Sequence, residues 1–149
     1  MAERLTARRL SVAVVESAAG GLIAAELTRL AGSSAYFKGG VVAYDHASKS
    51  RLLGIPGELF LEYGSVSAEA CFAMAQAARR LFDADIGLGE TGVAGPGGDS
   101  GAKPMGLSYV AVSSGQGKEV RQHQFAGDRE QNRWAAVEAA LQLLLELLG

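Results

Sequence analysis

Strand-like runs alternating with helix-like ones constrain this chain more than any other feature. Ser11-Val-Ala-Val-Val15 is a short β-branched run, the mark of a buried strand. A helical pattern follows over residues 21–30, with Leu22, Ala25 and Leu30 among its apolar positions, and Gly32-Ser33-Ser34 breaks it. Gly39-Gly-Val-Val-Ala-Tyr44 reads as a second strand. Asp45 is placed to cap a short helix that runs to Leu53 and stops at Gly54. Residues 58–63 add a helical turn, and Ser67 caps a helix on which Ala68, Phe72, Ala75, Ala78 and Phe82 recur at helical spacing. Residues 84–89 form a third strand. Residues 106–114 and 118–125 form a hairpin joined at Ser114-Gly-Gln-Gly117. Residues 4–9 read as the end of a short polar helix. The last helix begins near Asp128 and carries Trp134, Val137, Leu141, Leu144 and Leu148 on one apolar face. This order predicts an α/β fold, a mixed sheet covered by helices on both faces. The 149 residues suit one domain, 1–149, with a core of its own.

Composition narrows the function classes. Hydrophobic residues at 48% and charged ones at 20% exclude intrinsic disorder. Fourteen Lys and Arg against sixteen Asp and Glu leave no electrostatic footprint for nucleic acid or an anionic membrane. The single cysteine, Cys71, excludes an internal disulfide and suits a reducing, cytoplasmic setting. Two histidines and one cysteine, far apart in sequence, offer no zinc site, so neither metal nor cofactor is expected. No apolar run reaches membrane-spanning length, and residues 10–15 are too short for a signal-peptide core.

Ligands of such sheets bind beyond the carboxyl ends of the strands. Three segments fall there: 16–21, 44–49 and 91–106. Gly20 and Gly21, between strand and helix, suit either an approach of backbone N–H groups to an anion or a tight turn needing positive φ. The segment that opens at Thr91 holds six glycines in fifteen residues from Gly92, Gly95 among them, which suits backbone wrapped closely around a ligand. Lys49 falls in the first turn of the helix capped by Asp45. There the helix dipole and partial burial both favour the neutral amine, a potential general base. Its bland reading is a solvated surface lysine. Ser33 and Ser34 by themselves suit a cap or turn, Tyr44 a rim aromatic. Arg129, at the start of the last helix, opposes the dipole, so an anionic ligand or a surface ion pair would rationalise it. His46 and His123 read as solvated, Cys71 as buried and inert.

These pieces resemble, in order, the C-terminal domain of the CinA family: Glu16-Ser-Ala-Ala-Gly-Gly21, Gly32-Ser-Ser-Ala-Tyr-Phe37, Gly39-Gly-Val-Val-Ala-Tyr44, Thr91-Gly-Val-Ala-Gly-Pro-Gly-Gly98, Lys103-Pro-Met-Gly106 and Gly127-Asp-Arg-Glu130. The resemblance covers the chain from about residue 11 to its end. It implies a three-layer α/β/α fold around a mixed five-stranded sheet. Its members include stand-alone nicotinamide mononucleotide deamidases, which this length matches, and longer proteins with an additional N-terminal domain. The implied activity is hydrolysis of nicotinamide mononucleotide to nicotinate mononucleotide and ammonia, without a cofactor. The implied nucleophile is Ser34 and the implied base Lys49. Tyr44, Ser17, Thr91 and Arg129 fall at supporting positions.

Two departures bear on rate and substrate preference. The family usually has Cys-Thr where this chain has Ala18-Ala19, and Ser-Asn-Glu-Ala-Lys where it has Asp45-His-Ala-Ser-Lys49. Two competing expectations follow: a nucleotide- or partner-binding module without catalysis, related to competence and DNA-damage proteins, and an amidohydrolase for a related amide. The expected partners are a small nucleotide substrate and, from the family and the leucine-rich last helix, a second copy in a homodimer.

Overall fold

The computed structural model describes residues 1–97 and 103–149; the middle of the glycine-rich loop, with Gly98 and Gly101, lies outside the described residues. In chain order the elements are α1 (Ala2–Arg8), β1 (Val12–Glu16), α2 (Leu22–Thr28), a single 3-10 turn (Ser33–Ala35), β2 (Phe37–Val42), α3 (His46–Leu53), α4 (Gly57–Tyr63), α5 (Ala68–Phe82), β3 (Ile86–Gly92), β4 (Leu107–Ser114), β5 (Lys118–Gln124) and α6 (Arg129–Leu147). The sheet order is β2-β1-β3-β4-β5. The first three strands run parallel, and β4 and β5 are antiparallel additions.

Strand β1 lies between β2 and β3 and is buried throughout, as its β-branched run requires. Its alternation splits the core in two. Val12 and Val14 pack with Ile23, Leu27, Val137 and Leu144 on the α1, α2 and α6 side. Ala13 and Val15 pack with Leu53, Phe60, Ala70 and Met74 on the α3, α4 and α5 side. The expected three-layer arrangement with a mixed five-stranded sheet is therefore observed.

Helix α5 rides unusually close to β3. A Cβ built on Gly87 would stand 2.0 Å from the carbonyl oxygen of Ala75, and one on Gly89 2.3 Å from that of Cys71. Strand β3 thus needs glycine at both positions for reasons of space.

Several local expectations are corrected. On α2 the buried positions are Ile23 and Leu27, whereas Leu22 is only partly buried and Ala25 and Leu30 are exposed. The cause lies outside the helix: Glu16 accepts hydrogen bonds from three N–H groups at its start and so fixes its rotation. Val137, Leu144 and Leu148 are buried as expected, but Trp134 stands 40% exposed, and the buried face of α6 also takes in Asn132, Ala136, Ala140 and Leu143. The supposedly polar α1 inserts Leu5 into the core. Strand β2 spans Phe37–Val42, leaving Tyr44 beyond its end. Among the described residues, no helix is long and apolar enough to cross a membrane.

Candidate active site

The carboxyl ends of β1, β2 and β3 converge on a cleft of about 490 Å³. Ser17, Tyr44, His46, Lys49, Ser65 and Arg129 line it, together with backbone from Gly92 to Gly95. Its position follows from the strand order, because the chain leaves β1 toward β2 and leaves the adjacent β3 toward β4, in opposite directions along the sheet.

Lys49 is delivered by α3. The Asp45 side chain accepts a 2.7 Å hydrogen bond from the Ser48 N–H and caps the helix as expected, and the Ser48 side chain, together with that backbone bond, holds the Asp45 carboxyl below its usual pKa. Lys49 follows in the first turn and is 2% exposed, so the solvated-surface reading fails. His46, expected to be solvated, meets Ser65 Oγ at 2.9 Å through Nε2 and stacks on Phe60 at 5.9 Å. Thr91 is buried outside the cleft and donates its hydroxyl to the carbonyl of Ser65 at 2.8 Å. It therefore positions a lining residue from behind the cleft wall.

Helix α6 fastens the loops. Arg129 donates to the carbonyl of Gly95 at 2.6 Å and to the Tyr44 hydroxyl at 3.1 Å. Asn132 donates to the carbonyl of Ala94 at 3.0 Å. Arg133 donates to the carbonyls of Ala18 and Ala19 at 3.1 and 3.0 Å. Of these three, sequence reading found only Arg129. The others form contacts across the fold that no local pattern records.

The anion that the turn at Gly20 and Gly21 meets in this structure is internal to the chain. Glu16, 1% exposed, fills that role: its carboxylate accepts from the N–H groups of Gly21, Ile23 and Ala24 at 2.8–3.0 Å. The tight-turn reading holds instead, with φ of 64° and 101° at the two glycines.

A second buried carboxylate, Glu90, accepts from the N–H groups of Ser17 and Ala19 at 3.0 and 2.9 Å through one oxygen. Its other oxygen has no hydrogen-bond partner among the described residues. Burial pushes its pKa up from 4.5 to about 7, against the pull of those two amides. Between these values the folded chain holds a proton that the unfolded chain has released. Stability therefore falls as pH rises from 4.5 to 7, by about 3 kcal/mol, and stays reduced above. Glu90→Gln removes this titration. Urea unfolding at both pH values is expected to show the variant gaining on the parent by that amount; parallel pH profiles would refute it.

Ser34 is not in the cleft. It sits exposed in the turn before β2, while Lys49 follows the other end of that strand. The strand alone separates them by about 17 Å. Tyr36 is likewise at the far end, 5% exposed with its hydroxyl donating to the carbonyl of Leu27.

Comparison with known proteins follows this geometry. The model of the CinA C-terminal domain matches residues 1–148. A CinA-like protein from Geobacter sulfurreducens is 45% identical over 91% of this chain and 33% of its own length. The chain spans about a third of the length of the curated relatives it matches. The crystal structure of a competence-damaged protein (CinA) superfamily protein from Escherichia coli superposes with a TM-score of 0.94 at 30% identity, covering 97% of this chain and 84% of that one. That of the competence/damage inducible protein CihA from Agrobacterium tumefaciens gives 0.91 at 37% identity, over 99% and 90%. Sequence, sheet order and these likenesses agree that the chain belongs to the CinA C-terminal domain family.

Proposed function

We propose that the chain hydrolyses the carboxamide of nicotinamide mononucleotide to nicotinate mononucleotide and ammonia by a serine–lysine mechanism. The observation that carries this reading is Lys49, a buried amine at the positive end of a helix on the wall of a ligand-sized cleft. The Lys49 amine takes the proton of the serine hydroxyl as its oxygen attacks the carboxamide carbon. Collapse of the tetrahedral intermediate expels ammonia, which takes that proton from Lys49. Water, deprotonated by the same amine, then releases nicotinate mononucleotide from the acyl-serine. The cationic pyridinium suits the face of Tyr44, and the phosphate suits Arg129 with the backbone of Gly92 and Gly95.

Ser34 is the nucleophile in this reading, following the family. A second reading has its own observation: Ser17 lines the same cleft as Lys49. Ammonia release assayed with the mononucleotide, its riboside and free nicotinamide tests the reaction, and mass spectrometry of quenched turnover locates the acyl group. Release from the mononucleotide with the adduct on Ser34 is the expected result. An adduct on Ser17 moves the nucleophile, and no release from any amide leaves a binding module.

Arg129→Ala is expected to raise KM for the mononucleotide by roughly 10- to 150-fold, the worth of a charge-assisted contact of about 1.5–3 kcal/mol. The riboside lacks the phosphate and should be affected little. Equal losses on both would show that Arg129 serves only to hold Tyr44 and Gly95.

A further inference from the structure

We propose that internal water behind the turn after β1 joins Glu90 to Ser108 and, through Ser108, to His123, and so gives the buried carboxyl a proton path to the sheet edge at β5. The path does not depend on the reaction carried out in the cleft.

Three observations carry it. First, among the described residues three buried side-chain atoms lack a hydrogen-bond partner: Glu90 Oε1, Ser108 Oγ and His123 Nε2. They fall in one row across β3, β4 and β5. Ser108 stands directly opposite His123, and it is the diagonal neighbour of Glu90, which stands opposite Val110. All three side chains leave the sheet on the α6 side, as Leu88 and Val110 do, because residues two apart on a strand share a face. Second, a cavity of about 10 Å³, the room of one water, is lined by Glu90 and Ser108. The other polar side chains around it are spent. Asn132 donates to the carbonyls of Ala94 and Gly127, and Arg133 to those of Ala18 and Ala19. A purely apolar cavity stays dry, whereas one edged by a carboxyl and a hydroxyl offers water the partners it needs.

Third, Glu90 needs a route for its proton. It is fully buried, yet a pKa of about 7 makes it gain and lose that proton near neutrality. Its Oε2 is committed to the amides of Ser17 and Ala19, so the proton belongs on Oε1. The ionisable groups around it are Glu16 on β1, Lys49 on α3, Cys71 on α5 and Arg133 on α6. The first three are buried, and Arg133 is tied to carbonyls. His123, in contrast, is half-buried on the edge strand. Burial and then Arg121, the charged group beside it, hold its pKa below the usual value, so its ring is neutral near pH 7 and can pass a proton either way. His123 gives up the proton on Nε2 and takes one from solvent on its other nitrogen. Water and the Ser108 hydroxyl each accept one proton and pass one on, and Glu90 Oε1 takes the last and becomes neutral. Ala18 borders both this cavity and the cleft, so the path reaches the back of the cleft wall without entering the cleft.

NMR of the protein labelled with carbon-13 at the glutamate carboxyl tests the idea. The Glu90 signal is the one missing from Glu90→Gln. In Ser108→Val the hydroxyl is gone and methyl groups fill the cavity. The ionised carboxyl then loses its water, and the Glu90 titration midpoint should rise by about one pH unit. Oxygen-17 relaxation dispersion should count fewer long-lived waters in this variant than in the parent. If either the midpoint or the count is unchanged, the water site is overturned. His123→Phe keeps an aromatic ring to stack on Phe125, leaves the cavity intact and does not depend on the valine variant folding. Its midpoint should match the parent's, while exchange between the protonated and ionised Glu90 signals slows by about tenfold or more. Exchange at the parent's rate would mean that the proton arrives another way, through the cleft, and would overturn the path.

Discussion

Lys49→Arg is expected to turn over nicotinamide mononucleotide no better than Lys49→Met, both about 10²–10⁴-fold below the parent. Arginine keeps the positive charge but does not give up its proton near neutral pH, so it cannot serve as a base. A lysine acting only as a point charge on phosphate or carboxamide would behave differently, and arginine would restore much of the rate. The site makes the comparison clean: Lys49 is 2% exposed and fixed by a capped helix, so its amine has little freedom to take another role. Methionine preserves most of the buried stem. Turnover of the three proteins across pH, with substrate binding followed by calorimetry, decides the matter. Substantial turnover in Lys49→Arg with binding intact would remove the base from the mechanism.

Gly87→Ala is expected to destabilise the fold at or beyond the upper end of the ~1–3 kcal/mol range typical of overpacking. The added methyl would meet the Ala75 carbonyl oxygen at 2.0 Å. That atom belongs to the main chain of α5 and cannot rotate aside as a side chain would, so the helix must lift from the sheet. Cys71, whose thiol donates to the carbonyl of Gly89 at 3.3 Å, sits in the same seam. Gly117→Ala is the control, since nothing lies within 4 Å of its added Cβ, and a change of less than about 0.5 kcal/mol is expected there. Urea midpoints of the two variants measure the difference; equal midpoints would refute the packing argument.

The parts of the fold that sequence disclosed were those written in local chemistry. The β-branched run of β1, the caps Asp45, Ser67 and Asp128, and the stop at Gly54 all act within a few residues of themselves. Lys49, Tyr44, Ser17 and Arg129 were legible because each stands just beyond a strand or at a helix start, where the sheet's geometry collects ligands. What escaped was long-range. Arg133 reaches Ala18 across 115 positions, and Glu90 reaches Ser17 across 73. The face of α2 was misread for the same reason, because a carboxylate on β1 sets its rotation. Ser34 exposes another limit. Motif order gives the residues of a family site, but the polarity of β2 decides which end of the strand each occupies.

The turn after β1 is held almost wholly through atoms common to all amino acids. Glu16 and Glu90 grip its amide groups, and Arg133 grips its carbonyls at positions 18 and 19. The side chains at those two positions contribute nothing to these bonds. A loop clamped in this way can exchange a cleft-facing residue without changing its path, so Ala18 occupies a place where evolution can retune the chemistry presented to the neighbouring cleft, while Ala19, sealed in the core, belongs to the scaffold beneath. The constancy that makes such retuning possible resides in three ionisable residues, two on neighbouring strands and one on a distant helix, rather than in the loop.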